Sequence, residues 1–162
     1  MSASAFYLPE EGTNLQHHII MGNRAAIKTA KNDIGIYLHW NGGRDSIEAL
    51  LATCDIQGYV SPERDGYGWA YLCGVCALLF GMRGDSLGIY RGEQLDGKWY
   101  DNGVYIIENW HIVGREDAPE EEQHEYDLLE FVNHLDGLMP EGRRLGEEEV
   151  KKQLIEKGWI KE

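Results

Sequence analysis

Positive charge is in short supply: 15 Lys and Arg stand against 28 Asp and Glu, a formal net charge of −13. Binding to a nucleic-acid backbone or an anionic membrane draws on Lys and Arg to displace counterions, so this balance argues against both. Cysteine is scarce as well. Three residues, an odd number, make no disulfide framework and suit a reducing, cytoplasmic setting. Long apolar runs are missing. The longest, residues 70–82, has 13 residues and contains Gly74 and Gly81, well short of the ~20 that a membrane-spanning helix needs. Pro9, Glu10 and Glu11 arrive where a signal peptide would continue its apolar stretch. Neither an internal repeat nor a low-complexity tract is present.

What is there is an ordinary globular composition, 43% hydrophobic and 27% charged over 162 residues, enough chain for one core and one domain. The acidity is lopsided. Residues 1–92 hold 7 basic and 9 acidic residues, net −2, whereas 93–162 hold 8 and 19, net −11. Residues 1–18 read as a polar N-terminal arm and 19–162 as a single α+β domain. Residues 25–30 and 34–40 read as strands joined by a tight turn at Lys31, Asn32 and Asp33. The second alternates Ile34, Ile36, Leu38 and Trp40 with Gly35, Tyr37 and His39, the period of a half-buried strand.

Asp45, with Glu48 three residues on, predicts a helix start. Ile47, Leu50, Leu51 and Cys54 keep one helical face, and Gly58 ends it. Ser61 and Pro62 predict a second helix start. Further strands are expected over 87–91 and 104–115. A third helix is expected after Pro119, and a charged one near 147–157 before Gly158. Hairpins mixed with helices predict an antiparallel sheet with three or four helices.

Most chemical motifs reduce to plainer readings. Residues 84–88 spell Gly-x-Ser-x-Gly, but they follow a helix and precede a strand, the reverse of a nucleophile elbow. Cys73-x-x-Cys76 falls in mid-helix, where the two thiols pack as small apolar groups. Adjacent His17 and His18 are poorly placed to chelate one ion. Glu121-x-x-His124 lacks the second copy that a di-iron site needs. No catalytic set, metal or cofactor is expected.

The most informative stretch is His39-Trp40-Asn41-Gly42-Gly43-Arg44, a strand end, a glycine turn and a helix start. Free N–H groups and the helix dipole favour an anion there. Arg44 suits phosphate, and His39 or Trp40 suits a base. The plainer reading is a tight turn. Asn23 and Arg24 open the first strand. Asp65, Tyr67 and Trp69 lie around Gly66 and Gly68, two glycines that cost roughly 1 kcal/mol each inside a helix. Tyr100 sits in a polar loop with Asp101 and Asn102. Together these residues form a candidate nucleotide-reading set in the nearly neutral half of the chain.

Four strings, residues 21–27, 33–51, 61–73 and 101–116, resemble a family of small acidic proteins of Gram-positive bacteria, their phages and integrated mobile elements. The likeness spans residues 20–136. It implies a phage setting, with host defence as the target by analogy of setting, and it supplies no catalytic residues. One expectation is a non-catalytic sponge for a nucleotide-derived immune signal. The alternative is an acidic inhibitor of the anti-CRISPR or anti-restriction type, imitating nucleic acid towards a host defence nuclease. It relies on a helical row of Glu121, Glu122 and Glu125. No membrane and no direct nucleic acid are expected as partners. A homodimer, joined through the apolar part of the sheet or Trp159, is a further expectation.

Overall fold

The chain alternates short β-branched runs with amphipathic stretches. In a computed structural model that describes residues 23–81 and 85–162, it forms a five-stranded sheet and four α-helices. The arm at 1–18, His17, His18 and Gly84 lie outside the described residues. The strands are β1 (Ala25–Thr29), β2 (Ile34–Leu38), β3 (Leu87–Arg91), β4 (Val104–Glu108) and β5 (His111–Glu116). The helices are α1 (Arg44–Ile56), α2 (Gly66–Leu79), α3 (Leu128–Leu138) and α4 (Glu147–Glu156). Strand order is β3-β2-β1-β4-β5. All neighbours are antiparallel except the central β1–β4 pair, which is parallel. This is the expected α+β class.

Alternation along the strands divides the sheet into two faces. Ile27, Ile36, Leu38, Tyr105 and Ile107 point to the helices and are fully or almost fully buried with Leu50, Leu72 and Leu135. The opposite face carries a smaller cluster, Ala26, Leu95 and Val104, with Tyr37 and Tyr100 packed on it. Leu95 reaches that face because the connection from β3 to β4 passes beside β2 and β1. α1 keeps its expected inner face, with Ile47, Leu50, Leu51 and Cys54 buried, and Gly58 follows its end at φ +77°.

Three expected elements differ. The run 104–115 is a hairpin, turned at Asn109 and Trp110 with φ 48° and 64°. Tryptophan is rarely left-handed. Here the indole is buried and donates to Tyr59 O at 2.8 Å, and the Asn109 N–H donates to Glu63 at 3.0 Å. The second helix begins not at Ser61 but at Gly66, capped by Asp65, whose side chain accepts the Tyr67 N–H. Ser61 and Pro62 open a separate turn closed by the Arg64 and Asp65 N–H groups on Ser61 O. Residues 117–127 are not helical. α3 starts at Leu128 under an Asp127 cap. Glu121, Glu122 and Glu125 therefore form no helical row, and Glu121 and His124 share no helix face. Among the described residues no helix is long and apolar enough to cross a membrane.

Candidate functional site

The glycine turn is built into the fold from both sides. The Gly42 N–H donates to Asn23 O at 2.8 Å, and Gly42 O accepts the Tyr105 hydroxyl at 2.7 Å. A Cβ on Gly42 would stand 2.6 Å from both Asn23 O and the Ala25 Cβ, so β1 itself requires glycine here. Gly43 caps α1 without a side-chain bond and is buried, with the Gln123 amide close above it. Asp45 accepts the Ser46 N–H with one oxygen, at 2.7 Å. With the other it accepts the Glu125 and Tyr126 N–H groups, at 2.6 and 2.9 Å. The chain thus lays its own acidic loop, residues 117–127, against the helix start that the sequence offered to an anion.

The arginines are engaged as well. Arg44 pairs with Glu48 at 2.9 Å, one helical turn on, and also feels Glu122 and Tyr105. Arg115 is nearly buried. It pairs with Glu122, donates to Asn102 O at 2.6 Å, and lies 3.8 Å over the Tyr105 ring. Burial pushes the Tyr105 phenol well above its ordinary range, so its hydroxyl stays a donor. Both Arg115 and Glu122 hold the acidic loop to β5.

On the other face of the sheet the half-exposed aromatics converge. Tyr37 (β2) stands against Tyr100 with ring centroids 5.2 Å apart and against Tyr90 (β3) at 6.3 Å. Its hydroxyl lies 2.7 Å from His39 Nδ1, and His39 meets Trp40 edge-on at 4.6 Å. Trp40 is partly buried against the main core. Beside them Arg24 holds Asp101 through Nε at 2.9 Å and Nη2 at 3.4 Å, and its backbone N–H donates to the same carboxylate. Burial would raise the Asp101 carboxyl, but the Arg24 hydrogen bonds outweigh it and hold Asp101 below the usual range. Burial raises the Tyr37 and Tyr100 phenols, which therefore remain O–H donors. Asn23 closes the floor, its Oδ1 accepting from Asn102 Nδ2 at 2.5 Å.

So Asn23, Arg24, His39 and Tyr100 come together at one end of the sheet, with Asn41 (φ 52°) and Gly42 behind them, while Trp40 touches His39 from the helix side. Asp101, expected in the loop beside Tyr100, joins them through Arg24, and Tyr37 and Tyr90, which the sequence reading leaves out of the set, complete the cluster. The alternation in β2 already set Tyr37 on the outward face, and a tyrosine between Ile89 and Arg91 was the corresponding sign in β3. Asp65, Tyr67 and Trp69 are elsewhere. The segment before α2 sits at the β1–β2 turn, where Lys31 Nζ donates to Glu63 O at 2.6 Å, about one strand length, or roughly 17 Å, from Arg24. Trp69 is 6% exposed and belongs to the core. Tyr67 stands free at 68%. Gly68 has its own reason, since a Cβ there would meet Pro62 N at 2.5 Å.

The remaining motifs are structural. Cys54 and Cys76 are buried and Cys73 half-buried, and burial raises all three thiols, which disfavours the reactive thiolate. Ser86 is buried. Among the described residues no group of three or more His, Cys, Asp or Glu side chains could hold a metal ion. Comparison of the chain with protein-family models, with curated proteins and with solved structures gives no match.

Proposed function

We propose that the protein is a non-catalytic binder that sequesters a nucleotide-derived immune signalling molecule in the cytoplasm of a host cell. The observation that carries this reading is the aromatic cluster of Tyr37, His39, Tyr90 and Tyr100 beside the Arg24–Asp101 pair. Aromatic faces stack on bases of any sequence, at about 1–3 kcal/mol each. The ion pair adds an acceptor for ribose hydroxyls or base amino groups and a donor fork for phosphate. An incoming phosphate has to share Arg24 with Asp101, so the base supplies most of the affinity. The phosphate-binding role passes from the glycine turn to Arg24, because Asp45 and Gln123 occupy the turn. The inhibitor reading loses its geometric support. Its three glutamates lie on a loop, and Glu122 is turned inward onto Arg115.

Calorimetry against cyclic ADP-ribose isomers and cyclic oligonucleotides tests the proposal. Binding tighter than about 10 µM is expected for one of them, with the ligand recovered intact. Tyr90→Ala, at a half-exposed position, should weaken it at least about tenfold by loss of one stacking face. Arg44→Ala should leave it unchanged. Absence of binding across the panel, or full affinity in Tyr90→Ala, overturns the reading.

A further inference from the structure

Among the described residues β3 ends the sheet, and its outer edge faces no other strand. The Ser86 carbonyl accepts the His39 N–H at 3.0 Å. By the alternation of an antiparallel ladder, Ser86, Gly88 and Tyr90 therefore direct their backbone groups to β2. Leu87 and Ile89 aim theirs outward. Natural edges are blunted by lysine, proline, a bulge or a covering element. At the opposite edge, the β4–β5 ladder is interrupted by a register shift at Ile106/Ile107, and β5 carries Arg115 and Glu116. β3 (Leu-Gly-Ile-Tyr-Arg) has neither lysine nor proline, and its register with β2 runs unbroken. Ile89 stands 63% exposed and Tyr90 46%.

We propose that this edge pairs antiparallel with the same edge of a second copy of the chain, Gly88 lying at the two-fold axis. Two registers satisfy the outward groups, one centred on Gly88 and one on Ile89. The second would need the Arg91 N–H, which already donates to its own Gln94 Oε1 at 3.1 Å. It would also set Leu87 against the partner's Arg91 and Asp85 towards the partner's Glu93.

The Gly88 register uses only backbone groups that have no partner among the described residues. Leu87 and Ile89 exchange four backbone hydrogen bonds with the partner's Ile89 and the partner's Leu87, and the two side chains cover each other on the helix face. Next along the same face, exposed Asp85 meets the partner's Arg91, whose side chain is 76% exposed and only 3.8 Å from Glu93 at closest. Opposite charges facing across a strand pair are favourable. The result is a ten-stranded sheet that carries both aromatic clusters on one surface. The pairing does not depend on the ligand.

Sedimentation equilibrium of the full chain at about 200 µM, a concentration suited to an interface of this small size, reads the assembly. A mass of twice 18.4 kDa is expected. Arg91→Asp places like charges at both ends of the joint and should weaken association at least tenfold with an unchanged circular dichroism spectrum. Adding Asp85→Arg to it restores the opposite pair and should restore the dimer. A wild-type monomer at that concentration overturns the proposal and leaves the edge to a strand of another protein. A dimer indifferent to Arg91→Asp, or one the double change fails to rescue, overturns the register and with it the joint.

Discussion

His134 illustrates how single residues set the response to acid. It lies half-buried on α3 with its ring parallel to Phe131, centroids 6.4 Å apart, and its Nε2 is buried without a hydrogen-bond partner among the described residues. Burial lowers its pKa below the ordinary 6.5. The folded chain therefore keeps the imidazole neutral while the unfolded chain takes up a proton. Stability from this group is complete above 6.5 and is lost as pH falls towards the folded value. Glu63 opens a second window. Burial would raise its carboxyl, but the Ser61 hydroxyl and the Asn109 N–H outweigh that and hold it below 4.5. Its contribution is present above 4.5 and fades below it. Melting temperature against pH should fall in two steps. His134→Leu should remove the upper step and Glu63→Gln should blunt the lower. An unchanged upper step in His134→Leu would assign it to another group.

At the scale of elements, the start of α1 does two jobs. Asp45 looks like a helix cap, but Gly43 occupies the cap position, and the Asp45 carboxylate reaches out to two amides of the acidic loop as well as to Ser46. Orphaned donors at a partly buried site cost about 1–3 kcal/mol. Asp45→Ala should lower stability by about that amount and speed amide exchange at Glu125 and Tyr126 specifically. Equal exchange in the two proteins would mean that Arg115–Glu122 alone holds the loop. Trp159, considered as a contact between copies, is engaged within the chain. It stacks on His111 at 4.3 Å and donates to Asp55 at 2.8 Å.

For the molecule as a whole, a net charge of −13 means self-repulsion, most of it from residues 93–162. The exposed ion pairs, such as Arg44–Glu48 and Lys152–Glu156, offset little of it. Salt screens repulsion between exposed charges over a Debye length of about 8–10 Å. Raising sodium chloride from about 20 to 300 mM should therefore raise the melting temperature. A fall would mean that attractive pairs, Arg115–Glu122 foremost, outweigh the general repulsion.

The amino-acid sequence by itself determined the α+β class, the first three strands, α1 and α4. Their signals are local: a period of two in Ile34–Leu38, an inner stripe of Ile47, Leu50, Leu51 and Cys54, and glycines just beyond the helix ends. Tertiary structure decided what local signals could not carry. The Asn109–Trp110 turn is left-handed because partners 46 and 51 residues away, Glu63 and Tyr59, hold it there. Residues 117–127 have helical composition, yet Asp45 and Arg115 bind them as a loop. The glycine turn resembled an open anion site because its neighbours in sequence leave it bare. Its neighbours in space, β1 and that loop, close it. The aromatic cluster draws Tyr37, Tyr90 and Tyr100 from three separate segments. Only the pairing of β2 with β3 and the passage of the β3–β4 connection across the sheet set those rings side by side.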